Sequence, residues 1–196
     1  MEVPTMSTRR PLALAGAGLL VIVASAWPAW AQLPTYGLGR PPTAEEVKAW
    51  DITIPPDGKG LPPGSGTAAL GEPIYANRCA SCHGERGQNP KYDRLVGGQG
   101  TLNTDKPVKT VGSFWPYATT LWSYINRAQP FDEPGSLTHD QVYAVAAYLL
   151  FLNGIIGEHD VMDARTLPQV KMPNRDGFVP DPRPDVGRAS RPGTQK

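Results

Sequence analysis

Apolar and polar positions along the chain follow three kinds of pattern. The first is an uncharged apolar run from Leu12 to Ala26, preceded by Arg9 and Arg10 and ended by Pro28. At 15 residues it is short for a membrane-spanning helix, which needs about 20. Ala29-Trp30-Ala31 has the small-x-small form that signal peptidase cuts. Residues 1–31 therefore read as a cleaved export signal, with Ala24-Ser25-Ala26 as a second cleavage site and a retained anchor as the alternative. Thr8-Arg9-Arg10-Pro11-Leu12 also has a twin-arginine look, although paired arginines are common in ordinary signals. The mature chain is expected in the periplasm.

The second pattern is helical. Leu70, Ile74 and Tyr75 define a first helix running to about Arg78, and Pro73 is expected near its first turn. Leu121, Trp122 and Ile125 share a face of a second helix, for which Pro116 is a suitable first residue. In the third, Thr138-His139-Asp140-Gln141 reads as a capping box. Val142, Val145, Ala146, Leu149, Leu150 and Leu152 follow, and Asn153-Gly154 ends the run. His139 is then a helix-entry residue and His159 an exposed loop residue.

Elsewhere periodicity is absent. Residues 32–65 read as a proline-rich extension with one helical turn expected around Thr43–Trp50, and 84–113 read as Gly-rich loop. After Gly157 the chain is again irregular, and no internal repeat is found. The expected organisation is a signal (1–31), an extension (32–65), a core (66–155), and an irregular C-terminal segment with a Pro-rich tail (156–196).

Composition sharpens this picture. The 21 Gly and 22 Pro make up about 22% of the 196 residues, which leaves little room for long helices or a large sheet. Two Cys allow at most one disulfide, so a disulfide-dense scaffold is excluded. Three short helices bury little apolar surface, and a core this small needs a staple or a filler. Loss of Glu2, Arg9 and Arg10 with the signal leaves a net charge of zero, which argues against nucleic acid or anionic lipid as principal partners. The tail is weakly basic, with Arg183, Arg188, Arg191 and Lys196 against Asp185. It reads as a solvated end or a contact for an acidic partner.

The filler is supplied by the cysteines. Cys79-Ala80-Ser81-Cys82-His83 places two thiols and an imidazole on one face of a helical turn, the spacing that c-type haem attachment requires. The thiols form thioethers with the porphyrin vinyl groups, the imidazole of His83 is aimed at the iron, and the macrocycle completes the core. Structural zinc would need further ligands, and only His139 and His159 remain. A thioredoxin-like pair expects a strand before the first Cys, and a disulfide across two residues closes too small a loop to stabilise much.

With Gly71-Glu72-Pro73-Ile74-Tyr75 ahead of Cys79-Ala80-Ser81-Cys82-His83-Gly84, and Ala147-Tyr148-Leu149 in the last helix, the chain resembles a class I cytochrome c. That resemblance implies a mostly α fold, three to five short helices around one covalent haem, with the first and last helices crossing beside it. Gly71 would then permit close approach and Tyr148 would pack near it. Three further stretches carry a narrower likeness: Tyr92–Leu102, Val111–Ala118 and Lys171–Phe178. They are similar to the cytochrome subunit of sulfane dehydrogenase in the Sox sulfur-oxidising system, and in part to sulfite dehydrogenase cytochrome subunits. What this implies is a molybdopterin-containing dehydrogenase subunit that oxidises a sulfur compound and passes single electrons to this haem, and a downstream cytochrome that takes them. No catalytic site is expected in the chain itself.

The sixth iron ligand is open at this stage. Simple class I cytochromes place Met-Pro just before the last helix, where this chain has Ala128-Gln129-Pro130-Phe131. The mature chain holds only Met162 and Met172. Met172 lies 19 residues past Asn153, a span of up to about 60 Å, and it belongs to the family-like Lys-Met-Pro-Asn stretch. Met172 is the expected ligand, with Met162, Gln129, a His or an open site as alternatives and a core gap-filler as its plain role. Arg94, Trp115 and Tyr117 are candidate propionate contacts, for their guanidinium, indole and aromatic chemistry. Surface Arg and core aromatics are the equally simple reading. A backbone carbonyl near Pro90 is expected to fix the His83 tautomer.

Overall fold

A computed structural model describes residues 37–89, 92–181 and 183. The signal reading, Pro90 and most of the basic tail lie outside them. Residues from Ala44 onward form one compact unit, while 37–43 belong to a separate one and are irregular.

Helix α1 (Ala44–Trp50) buries none of its residues. Its acidic Glu45 and Glu46 in the first turn and Lys48 in the last suit the helix dipole. α2 spans Ala68–Arg78, and Thr67 caps it by accepting the Leu70 N–H at 3.3 Å. Its inward face is Ala68, Gly71 and Tyr75, which corrects two expectations. Leu70 points to solvent, 60% exposed, and Pro73 sits in the second turn rather than the first. Only the bond to the Ala69 carbonyl is forgone there, on an exposed face.

The short α3 (Ala80–His83) follows at once. α4 (Ala118–Ala128) begins two residues after Pro116, with Tyr117 as its N-cap, so the proline leads into the helix instead of starting it. α5 (His139–Leu152) carries the expected capping box, with Thr138 and Gln141 exchanging side-chain bonds to backbone N–H groups. Residues Val142 to Leu150 are all buried, which marks the central helix of a small core. Two strands unforeseen in the sequence, β1 (Ser65–Gly66) and β2 (Met162–Asp163), pair antiparallel with Ser65 opposite Asp163 and Gly66 opposite Met162. A 3₁₀ turn follows at Leu167–Gln169.

The frame is the crossing of α2 over α5. A Cβ on Gly71 would run into the Ala144 carbonyl and stand 2.9 Å from the Tyr148 Cβ. The two backbones can therefore approach only because position 71 has no side chain. Gly66 meets the Ala144 backbone in the same way. This crossing places the end of α2, and the cysteines that follow it, beside the buried face of α5.

Candidate functional site

Cys79 serves as C-cap of α2 and as the residue from which α3 starts. Its N–H donates to Tyr75 O at 2.9 Å, and its carbonyl accepts from Cys82 N (3.2 Å) and His83 N (2.9 Å). The pentapeptide is thus wound into one helical turn. Gly84, at φ 80°, ends the turn where an L side chain would be strained. Asn89 pins the turn from outside, its amide donating to Cys82 O at 2.8 Å and its backbone N–H to His83 O at 3.0 Å.

The imidazole of His83 is oriented by the loop that follows. Its Nδ1 lies 3.0 Å from the Asp93 carbonyl. A carbonyl can only accept, so Nδ1 carries the proton and Nε2 is left with its lone pair. A backbone carbonyl was expected near Pro90; Asp93 supplies it three residues later.

Cys79 and His83 stand on the wall of a cavity of about 340 Å³. Tyr75 of α2, Leu121 and Ile125 of α4, and Val145 and Leu149 of α5 make its apolar surface. Arg94, Lys109 and Thr110 lie at its polar side, and Trp115 packs edge-on against Tyr124 at 5.7 Å. The walls suit a flat apolar group bearing a few carboxylates, which is the shape and chemistry of haem.

Polar bonds hold the loop that forms the far wall. Asn153, the C-cap of α5, accepts the Gly97 N–H at 3.1 Å and donates to Leu95 O at 3.2 Å and Leu149 O at 2.8 Å. Thr110 Oγ1 donates to Gly97 O and accepts the Gly112 and Ser113 N–H groups at 3.1 Å each. In the sequence Asn153-Gly154 reads only as a helix stop. Its second role in anchoring a loop more than 50 residues away has no local signal.

Burial governs the titratable groups. The Cys79 thiol is pushed up to about 11, chiefly by burial, with Cys82 adding to the rise and Arg78 opposing it. Tyr75 is raised above the ordinary phenol value first by burial and then by Cys79 and Tyr148. Its hydroxyl donates to Gly84 O at 3.0 Å.

Of the residues singled out in the sequence, Cys79, His83, Arg94, Trp115 and Gln129 come together around the cavity. Cys82 is exposed at the adjoining edge of the turn. Tyr117 is away from the lining, with the Arg175 guanidinium 5.2 Å above its ring. Met162 is buried in β2, and Met172 is 3% exposed within the core without lining the cavity. The Met172 segment returns to the loop before α4, where Asn174 donates to Phe114 O at 2.8 Å and Phe178 meets the Phe114 ring edge-on at 5.2 Å. His139 opens α5 and His159 is exposed, as expected. Sequence reasoning missed Lys109, Thr110 and Tyr124, which are scattered among loop and surface positions.

The fold and the Cys-x-x-Cys-His turn define a c-type cytochrome. The cytochrome c family model matches residues 68–153, from the first residue of α2 to the cap of α5. The chain is also similar to the crystal structure of the sulfane dehydrogenase SoxCD from Paracoccus pantotrophus, at 40% identity and a TM-score of 0.68, covering 81% of this chain and 80% of that one. No curated protein gives a significant match. The chain belongs to the class I c-type cytochromes, resembles the cytochrome subunit of SoxCD, and carries covalently attached haem c. Among the described residues, no helix is long and apolar enough to cross a membrane.

Proposed function

We propose that this is an exported monohaem electron carrier that takes single electrons from a molybdenum-containing sulfane or sulfite dehydrogenase subunit and passes them to a further cytochrome. The observation that carries this reading is His83: its Nδ1–H is committed to Asp93 O, and it stands with Cys79 on the wall of an apolar cavity. When bound, the haem supplies a one-electron ferric/ferrous couple. Cys79 and Cys82 would tether it, His83 would ligate its iron through Nε2, and Arg94, Lys109 and Trp115 would offer donors to its carboxylates. The apolar walls exclude water, so a change of charge inside is felt strongly by these few groups. The likeness to SoxCD supports the sulfur-oxidising partner. The basic run Arg9–Arg10 and the apolar segment after it support export to the periplasm.

Met172 is the sixth ligand in this reading, reached by the segment that returns to Phe114. One observation favours a second reading: Gln129 lines the cavity and Met172 does not. In that case the sixth position is open or weakly held, and the protein binds small ligands. A spectrum of the ferric holoprotein decides. The iron–thioether charge-transfer band should be present in the wild type and absent in Met172→Ala, while Gln129→Ala keeps it. Rapid carbon monoxide binding by the reduced wild type, with no such band, would support the ligand binder instead. Reduction by the purified dehydrogenase subunit with its sulfur substrate tests the donor, and failure to reduce would overturn it.

A further inference from the structure

Beyond α5, and beyond the residues matched by the cytochrome c family, the segment Met172–Phe178 returns to the short stretch that leads into α4. Asn174 donates to the Phe114 carbonyl at 2.8 Å, and Phe178 sets its ring edge-on to that of Phe114. The segment is held in a tight fold of its own. Arg175 N–H donates to Met172 O at 3.1 Å, and Gly177 N–H to Asn174 O at 3.2 Å. A Cβ at Gly177 would run into the Asn174 amide, so glycine there keeps that amide on Phe114.

Phe114 is also part of the haem cavity wall, and it holds a charge: the Lys109 ammonium lies 5.0 Å from its ring centroid. Lys109 lines the cavity too and is exposed, so it stands where the wall meets solvent. A lysine on its flexible four-carbon stem is ordinarily free to swing into water, and an aromatic face that attracts the ammonium confines it. A cation fixed against a largely apolar cavity acts on charge inside more strongly than it would across water. Oxidation of a haem iron adds one positive charge. A fixed cation nearby therefore favours the ferrous state and raises the reduction potential.

We propose that Lys109 raises the reduction potential of the haem, and that Asn174 and Phe178 are positioning residues that act on Lys109 through Phe114. Asn174 fixes the Phe114 backbone and Phe178 fixes its ring, so the face offered to the ammonium keeps one orientation. This rests on the haem in the cavity and not on the identity of the electron donor.

The test is a redox titration of the full-length holoprotein with small-molecule mediators, which needs no partner. It compares wild type, Lys109→Gln, Lys109→Arg, Phe178→Ala and the Lys109→Gln/Phe178→Ala double variant. Lys109 is exposed and Phe178 is 54% exposed, so these changes keep the fold. At a fixed ambient potential Lys109→Gln should lower the ferrous-to-ferric ratio about threefold or more, and Lys109→Arg should restore most of it. Phe178→Ala should lower the ratio in the wild-type background and have no further effect in Lys109→Gln, where the charge it positions is gone. A wild-type potential in Lys109→Gln would overturn the role of Lys109. A Phe178→Ala shift of the same size in both backgrounds, or no shift in either, would overturn the route through Phe114. Failure of the molybdenum subunit to reduce the wild type would overturn the donor while leaving these potentials as they are.

Discussion

Single atoms decide the chemistry at His83 and Asp163. At His83 the Asp93 carbonyl selects the tautomer. That choice was open in the sequence because many loop carbonyls could have served. At Asp163 one carboxylate oxygen accepts the N–H groups of Arg165 (2.7 Å) and Thr166 (2.9 Å), and the other lies 3.3 Å from the Arg165 guanidinium. Backbone bonds from Thr166 and Arg165 are the main reason its carboxyl is held down to about 2, from 3.8. A depressed folded-state value gives stability that is present above the unfolded value and lost as pH falls through the folded one. The stability gap between wild type and Asp163→Asn should therefore hold constant from neutral pH to about 5 and shrink between about 4 and 2. Guanidinium midpoints at stepped pH check this, and a gap that persists at the acid end counts against it.

Elements are set by how close their backbones come. Periodicity places Leu70 on the inner face of α2, yet the buried positions are Ala68, Gly71 and Tyr75. The reason is the crossing, where small residues admit the Ala144 carbonyl and a leucine would hold the helices apart. Gly71→Ala should destabilise the holoprotein by roughly 2–3 kcal/mol in spite of alanine's better helix propensity, since the added Cβ meets a carbonyl that cannot rotate away. Leu70→Ala should stay within about 0.5 kcal/mol. Denaturation followed by haem absorbance separates the two. Equal effects would mean that α2 and α5 do not cross at Gly71. In contrast, the start of α5 was fully legible, because the Thr138–Gln141 box is a contact between residues three apart.

For the molecule as a whole, the short helices enclose a cavity that their own side chains do not fill. Covalent haem is thus part of the core as well as the redox centre. A Cys79→Ala/Cys82→Ala chain, unable to keep the group, should lose cooperative unfolding and most of its far-ultraviolet helical signal at 25 °C. A sharp two-state transition in that variant would show that the polypeptide alone suffices.

The sequence by itself determined the cofactor, the presence of α2, α4 and α5 and the caps of α5, because each depends on residues within one or two turns of one another. Cys79, Cys82 and His83 need only their spacing to define haem attachment. What the tertiary structure decided are meetings between distant segments: Gly71 with Ala144, Asn153 with the Gly97 loop, Lys109 and Arg94 on the wall of one cavity, Asn174 with Phe114. It also divided α4 between two cavities, sending Leu121 to one and Trp122 to the other, and left the Trp122 indole N–H without an acceptor among the described residues. Periodicity records that a position is buried, and only packing determines what it is buried against.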